Sequence, residues 1–182
     1  MFFTTTGRVY VRRVHEIPDM GRSAKGRNIA NLLELQSGEK IAALIRVESH
    51  LGPDKENLTW QQENFLFFAT ESGTVKKTAL GAYSNVRRTG INAIGINEGD
   101  RLITVKLTTG HDEVVLITSD GKSIRFNEEN VRSMGRPAAG VLGIRLGKKD
   151  RLVAAALVTK DATLLVAGEN GVGKRTQFDE YR

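Results

Sequence analysis

Bases recur at matching points along this chain, and a recurring base is a candidate ligand for phosphate oxygens. One set lies shortly after a glycine: Arg12 and Arg13 after Gly7, Lys76 and Lys77 after Gly73, Arg125 after Gly121, and Lys174 and Arg175 after Gly171. A second set lies in the segment that follows each of the first three: Arg22, Lys25 and Arg27, then Arg87 and Arg88, then Arg132 and Arg136. No helix is signalled that could enter a groove, so such groups would touch the phosphate backbone and be indifferent to base sequence. The overall balance agrees, with 27 basic against 21 acidic residues and a net charge of +6.

Other chemistry is excluded by spacing. Gly168 to Thr176 comes close to a phosphate-binding loop, but Arg175 stands directly after Lys174 where that loop needs Ser or Thr to reach magnesium. His15, His50 and His111 are isolated, none with the short-range spacing of a metal pair, and His111-Asp112-Glu113 reads as a solvated turn between strands. There is no cysteine, hence no disulfide or thiolate site, which fits a reducing compartment. The Asn57-Leu58-Thr59 triplet carries no weight, and Trp60 reads as a packing anchor rather than a base-stacking platform. No catalytic residue, metal or cofactor site is expected in the chain.

The elements that position the bases are legible from repetition. The glycines begin similar turns, Gly7-Arg8-Val9, Gly73-Thr74-Val75, Gly121-Lys122-Ser123-Ile124 and Gly171-Val172-Gly173-Lys174. Ten residues beyond each stands an apolar or aromatic residue: Ile17, Tyr83, Val131 and Tyr181. Two connectors nearly match, Met20 to Gly26 and Met134 to Gly140. The later anchors are spaced about 50 residues apart, the period of a propeller blade, and the longer first interval implies an insertion, placed at Glu48 to Asn64. Units of about 1–64, 65–112 and 113–162 follow, with a partial one at 163–182.

Each unit opens with an apolar run into a glycine turn, the hairpin signal: Phe2 to Thr5, Phe65 to Ala69, Val114 to Ile117 and Thr163 to Val166. In the first returning strand Val9 and Val11 share one face while Arg8, Tyr10 and Arg12 share the other, expected to be wet and basic. Third strands are expected at Ile29 to Leu35, Ile91 to Ile96 and Val141 to Leu146. Closing strands are expected at Ile41 to Val47, Leu102 to Leu107 and Leu152 to Val158. The fold class is therefore all-β, a propeller-like array of four-stranded antiparallel blades. If units stand around an axis, equivalent bases fall on one rim and form a curved positive track suited to a bent duplex. The N-terminus has neither the basic region nor the apolar length of a signal peptide, and no run approaches a membrane span, so a cytoplasmic location is expected.

These residues carry a family resemblance. The chain resembles the C-terminal DNA-wrapping domain of DNA gyrase A, the β-pinwheel. The matching features are Gly-Arg-Val-Tyr at 7–10, Gly-Arg-x-Ile-x-Asn-Leu-Leu at 26–33, and Ala69-Thr70 to Lys77-Thr78. Val131-Arg132-x-Met-Gly, Gly-Ile-Arg-Leu-Gly at 143–147 and Gly171-x-Gly-Lys-Arg-Thr complete the set. The resemblance implies blades that exchange one strand between neighbours, duplex DNA wrapped on a basic perimeter, and a non-catalytic part in the ATP-dependent negative supercoiling of the whole enzyme. It further implies partners in gyrase B and the rest of gyrase A in an A2B2 holoenzyme, with ATP and magnesium used elsewhere in that assembly, in the bacterial cytoplasm and nucleoid. The family's wrapping box, Gln-Arg-Arg-Gly-Gly-Lys-Gly, is absent; its nearest counterparts are Gly21 to Gly26 and Gly135 to Gly140. The family usually has about six blades, so the chain reads as a fragment. The corresponding C-terminal domain of topoisomerase IV, built from similar blades, and a propeller used as a protein scaffold are the alternative readings.

Overall fold

A computed structural model describes residues 1–48 and 63–181. The insertion expected between Glu48 and Asn64, with Trp60 and the Asn57 triplet, falls almost wholly outside them. The first unit contributes β1 (Phe2–Thr4), β2 (Arg8–Tyr10) and β3 (Ile41–Leu44). The second gives β4 (Phe65–Thr70), β5 (Thr74–Ala79), β6 (Ile91–Asn92) and β7 (Leu102–Thr108). The third gives β8 (Glu113–Thr118), β9 (Ser123–Asn127), β10 (Val141–Leu142) and β11 (Leu152–Leu157), and the last β12 (Thr163–Ala167) and β13 (Gly173–Gln177). Among the described residues the helical segments are single 3-10 turns.

Units and sheets do not coincide. The sheets run β3-β1-β2-β6, β10-β5-β4-β7, β11-β8-β9 and β12-β13, with every strand pair antiparallel. The fourth strand of each of the first two sheets is lent by the following unit: Ile91 stands opposite Val9, and Val141 opposite Val75. The hairpin glycine makes this exchange possible. Gly73 turns the chain at φ +84° and its carbonyl accepts the N–H groups of Gly143 and Ile144 at 2.9 and 3.3 Å. A Cβ there would lie 2.7 Å from the Ile144 carbonyl oxygen, so only glycine lets the next unit cross so closely.

Apolar burial explains the strand pattern. Phe3, Val9, Leu66, Phe68, Tyr83 and Leu102 form the core between the first two sheets, and Phe67, Val75, Val114, Leu116 and Leu152 the core between the second and third. Adjacent residues on β4 thus point into different junctions, and the strand reads as a continuous apolar run because both faces are covered. On β12 the residues alternate between exposed and half-buried, since only one face is covered. Closing strands β3, β7 and β11 touch one another from sheet to sheet, so the sheets fan out from that side and β6 and β10 lie at the far edge.

Two expectations are corrected. Ile29 to Leu35 is not a strand: Ile29–Asn31 is a 3-10 turn whose N-cap, Asn28, accepts the Ala30 N–H at 3.0 Å. Leu33 packs with Phe2 and Tyr10, so this segment folds over its own sheet instead of joining another. It covers the face expected to be wet. Tyr10 is fully buried, its hydroxyl 2.8 Å from Glu39 Oε2 and 3.0 Å from the Glu34 carbonyl oxygen. The other third strands shorten to two residues, because Ala93 and Ile94 turn away to bond the Gly7 carbonyl as Gly143 and Ile144 do at Gly73.

Candidate nucleic-acid interface

The candidate interface rests on how the hairpins are held. An acid just before each closing strand reaches back to the hairpin turn. Glu39 accepts the hydroxyls of Thr6 at 2.8 Å and Thr4 at 3.2 Å and the Gln36 N–H at 2.7 Å. Asp100 accepts the Ser72 hydroxyl at 2.6 Å and its N–H at 2.9 Å, and Asp150 accepts the Ser119 hydroxyl and the Asp120 N–H, both at 3.0 Å. Burial alone would raise the Glu39 carboxyl, but the Gln36 N–H and the Thr6, Tyr10 and Thr4 hydroxyls outweigh it and hold the group below its ordinary value. The sequence reading missed these acids. Their signal was there: each closes a turn directly before an apolar strand, at a comparable distance from its hairpin glycine.

The bases divide by exposure. Lys76 and Lys77, expected on the rim, are buried, and this corrects the reading of the second strand as part of the track. Their sheet is covered on both faces, so adjacent side chains that alternate across it both lie inside. Lys76 Nζ donates to the Ala93 carbonyl at 2.7 Å and the Arg136 carbonyl at 2.6 Å, above the Phe68 ring. Burial, with the Arg136 guanidinium nearby, pushes its ammonium down to about 8. Lys77 Nζ donates to the Glu128 carbonyl at 2.9 Å, with Phe65 beneath it. Arg125 is half-buried and engaged: Nη2 lies 2.6 Å from Glu113 Oε2, and Nη1 donates to the Phe178 carbonyl at 3.0 Å. The Glu113 carboxylate, helped by that of Asp179, raises its pKa. Arg12 is also half-buried, donating to the carbonyls of Val11, Leu32 and Arg88.

The connectors carry the accessible bases. Arg13, expected on the second strand, lies past the end of β2 and is exposed; Arg22, Lys25 and Arg27 are exposed in the first connector, Arg87 and Arg88 in the second, and Arg132 in the third, with Arg136 half-buried beside it. Each of the last two connectors runs against the second strand of the preceding sheet. Arg12 Nη2 donates to the Arg88 carbonyl at 3.2 Å and Arg8 Nη2 to that of Thr89 at 2.8 Å. At the next junction Ser133 bridges Lys77, and the Met134 N–H donates to the Lys77 carbonyl at 2.8 Å. The structure thus sets exposed connector bases beside the second strand of the preceding sheet at the first two junctions, Arg87 and Arg88 at one and Arg132 at the next, on the side away from the closing strands. Lys174 and Arg175 are exposed on β13, and Lys148 and Lys149, not anticipated, are exposed in the turn before β11.

Other candidate chemistry dissolves into local contacts. His111 is exposed with Nδ1 2.5 Å from Glu129 Oε1; Asp112 accepts the Thr109 N–H, and Glu113 pairs with Arg125. Among the described residues no cluster of three metal-ligating side chains occurs. The loop at Gly168 to Thr176 is an exposed hairpin, with no helix N-terminus to bind phosphate.

Comparison with known proteins matches this geometry. The DNA gyrase A protein of Salmonella typhimurium is 44% identical over 179 residues, covering 98% of this chain and 19% of that protein. Its counterpart from Haloquadratum walsbyi is 41% identical over 184 residues, covering 100% of this chain and 21% of that protein. The chain thus spans about a fifth of the length of the relatives it matches. A crystal structure of the C-terminal domain of DNA topoisomerase IV superposes with a TM-score of 0.84 at 31% identity, covering all of this chain and 54% of that one. A DNA gyrase A C-terminal domain superposes at 0.77 and 23% identity, covering 99% of this chain and 54% of that one. A family model described as the DNA gyrase C-terminal domain, beta-propeller, matches residues 1–48, 64–109, 112–159 and 162–182, one segment for each glycine-turn hairpin, and the chain belongs to that family.

Proposed function

We propose that the chain binds duplex DNA along its connector bases and bends it, without reading its sequence, as the DNA-wrapping part of a gyrase A protein. The observation that carries this reading is the recurrence of exposed bases in successive connectors, Arg22, Lys25 and Arg27, then Arg87 and Arg88, then Arg132, the last two connectors running on the side away from the touching closing strands. Backbone contacts of this kind neutralise phosphates without base readout, and a curved array favours a duplex that follows it. Within the whole enzyme the chain would support ATP-dependent negative supercoiling while contributing no catalytic group. Strand cleavage, ATP and magnesium belong to gyrase B and to the rest of gyrase A, in the bacterial cytoplasm. The relatives that match nearly the whole chain at 44% and 41% identity are gyrase A proteins, and this favours gyrase.

The test is fluorescence anisotropy with two duplexes of equal length and unrelated sequence. The wild-type chain is compared with a variant carrying Ala at Arg13, Arg22, Lys25, Arg27, Arg87, Arg88 and Arg132. Equal affinity for both duplexes, lost in the variant, is expected. A strong preference for one sequence, or unchanged binding by the variant, would overturn the reading.

A further inference from the structure

The bases removed from the rim by burial share a different geometry. Lys77 stands four residues after Gly73 and donates to the carbonyl of Glu128, seven residues after the next hairpin glycine, Gly121, at 2.9 Å. Arg125 stands four residues after Gly121 and donates to the carbonyl of Phe178, seven residues after Gly171, at 3.0 Å. Two chemically different side chains therefore make the same bond across successive junctions. At the first junction the equivalent pair is Val11 and Leu80, which share an apolar cluster. We propose that the side chain four residues after a hairpin glycine is the positioning residue that sets the angle between consecutive sheets, by fixing the backbone seven residues after the next glycine.

The surroundings explain why this contact defines an angle. Lys77 lies over the Phe65 ring, and its nearest acceptors are the carbonyls of Glu128 and, more distantly, Gly110 at 3.5 Å. A buried ammonium that loses such an acceptor is left unpaired, so rotation of one sheet against the next is resisted steeply. Arg125 is anchored on its own sheet by Glu113 at 2.6 Å while it reaches Phe178 on the next. Both groups are pinned on one side and gripping on the other. The contacts recur with the repeat, so the rotation they fix recurs too, and the curvature of an array is the sum of these steps. The consequence for DNA rests on the function proposed above; the junction angle itself does not.

The chain has no cysteine, so pairs of spin labels can be placed cleanly. Labels at Glu98→Cys and Lys148→Cys span the second junction, and labels at Lys148→Cys and Glu169→Cys span the third. Lys77→Met is expected to shift or broaden the first distance distribution alone, Arg125→Met the second alone, and Arg125→Lys to restore it. If Lys77→Met does not fold, the Arg125 pair decides, because that side chain is partly exposed. Unchanged distances in folded variants, or changes spread equally over both pairs, would overturn the proposal. A short duplex with dyes at its ends adds the DNA arm: Arg125→Met should alter the end-to-end transfer while affinity changes by less than about threefold, since no phosphate contact is removed. A wild-type chain that fails to bind DNA would sink the functional reading and leave the distance result standing. Binding with an unaltered bend, despite a shifted junction, would overturn the link between the two.

Discussion

Replacing Gly73 by Ala tests the exchange of strands between units, with Gly121→Ala as its matched control. The two glycines turn their hairpins at nearly the same φ, +84° and +80°. A non-glycine residue in that region costs about 1–2 kcal/mol at either site. Their surroundings differ. At Gly73 the new Cβ would meet the Ile144 carbonyl oxygen at 2.7 Å, whereas at Gly121 nothing lies within 4 Å. Relieving that clash moves the crossing segment and weakens the bonds from the Gly143 and Ile144 N–H groups to the Gly73 carbonyl, each worth about 1 kcal/mol. Gly73→Ala should therefore cost about 3–4 kcal/mol and Gly121→Ala about 1–2. Stability differences of this size move a urea midpoint by roughly 1 M between the two variants, which circular dichroism would resolve. Equal midpoints would refute the argument that the crossing of the next unit, rather than the turn alone, demands glycine at position 73.

Further expectations follow from the buried charges. The Lys76 ammonium, held down to about 8 against an ordinary 10.5, leaves the unfolded chain with more bound protons between those values. Stability should rise with pH across that window, by up to ~3 kcal/mol. The rise appears as the difference between wild type and Lys76→Met in urea midpoints, and an identical pH dependence of the two proteins would contradict it. Glu39→Gln removes the carboxylate that gathers Thr4, Thr6, Tyr10 and Gln36, at a cost of about 2 kcal/mol at neutral pH. Because the Glu39 pKa is lowered in the folded chain, its contribution is present above the ordinary 4.5 and is lost as pH falls through the folded value. The gap between wild type and Glu39→Gln should close in acid, and a gap independent of pH would count against this account.

Much of the fold was legible because it is local. Glycine turns at 7, 73, 121 and 171 each join two strands, and the closing strands begin at Ile41, Leu102 and Leu152 as their patterns imply. What the repeat pattern itself did not disclose is where a strand pairs; the exchange between neighbouring units came only from the family resemblance. Ile91 and Asn92 belong to one unit by position and to the preceding sheet by hydrogen bonding, and periodicity carries no information about partners. Nor does it show which faces are covered. Lys76 and Lys77 looked like a basic rim because consecutive charges in a strand usually reach water on at least one face. They lie opposite Phe68 and Phe67, in a sheet with neighbours on both sides, and that apolar run was the signal that both faces would be dry. The connector bases Arg22, Lys25, Arg27, Arg87, Arg88 and Arg132 kept the exposure expected of them, since their segments cross outside the sheets, while Arg136 is half-buried.

The central claim, that connector bases hold the backbone of duplex DNA, is tested most directly by the dependence of affinity on salt. Affinity measured from roughly 50 to 200 mM monovalent salt should fall steeply in the wild type, in proportion to the phosphates neutralised. The slope of log affinity against log salt should shrink by about 0.9 for each connector base that contacts a phosphate and is replaced by Ala. A shallow wild-type slope, or one that the connector substitutions leave unchanged, would contradict the account.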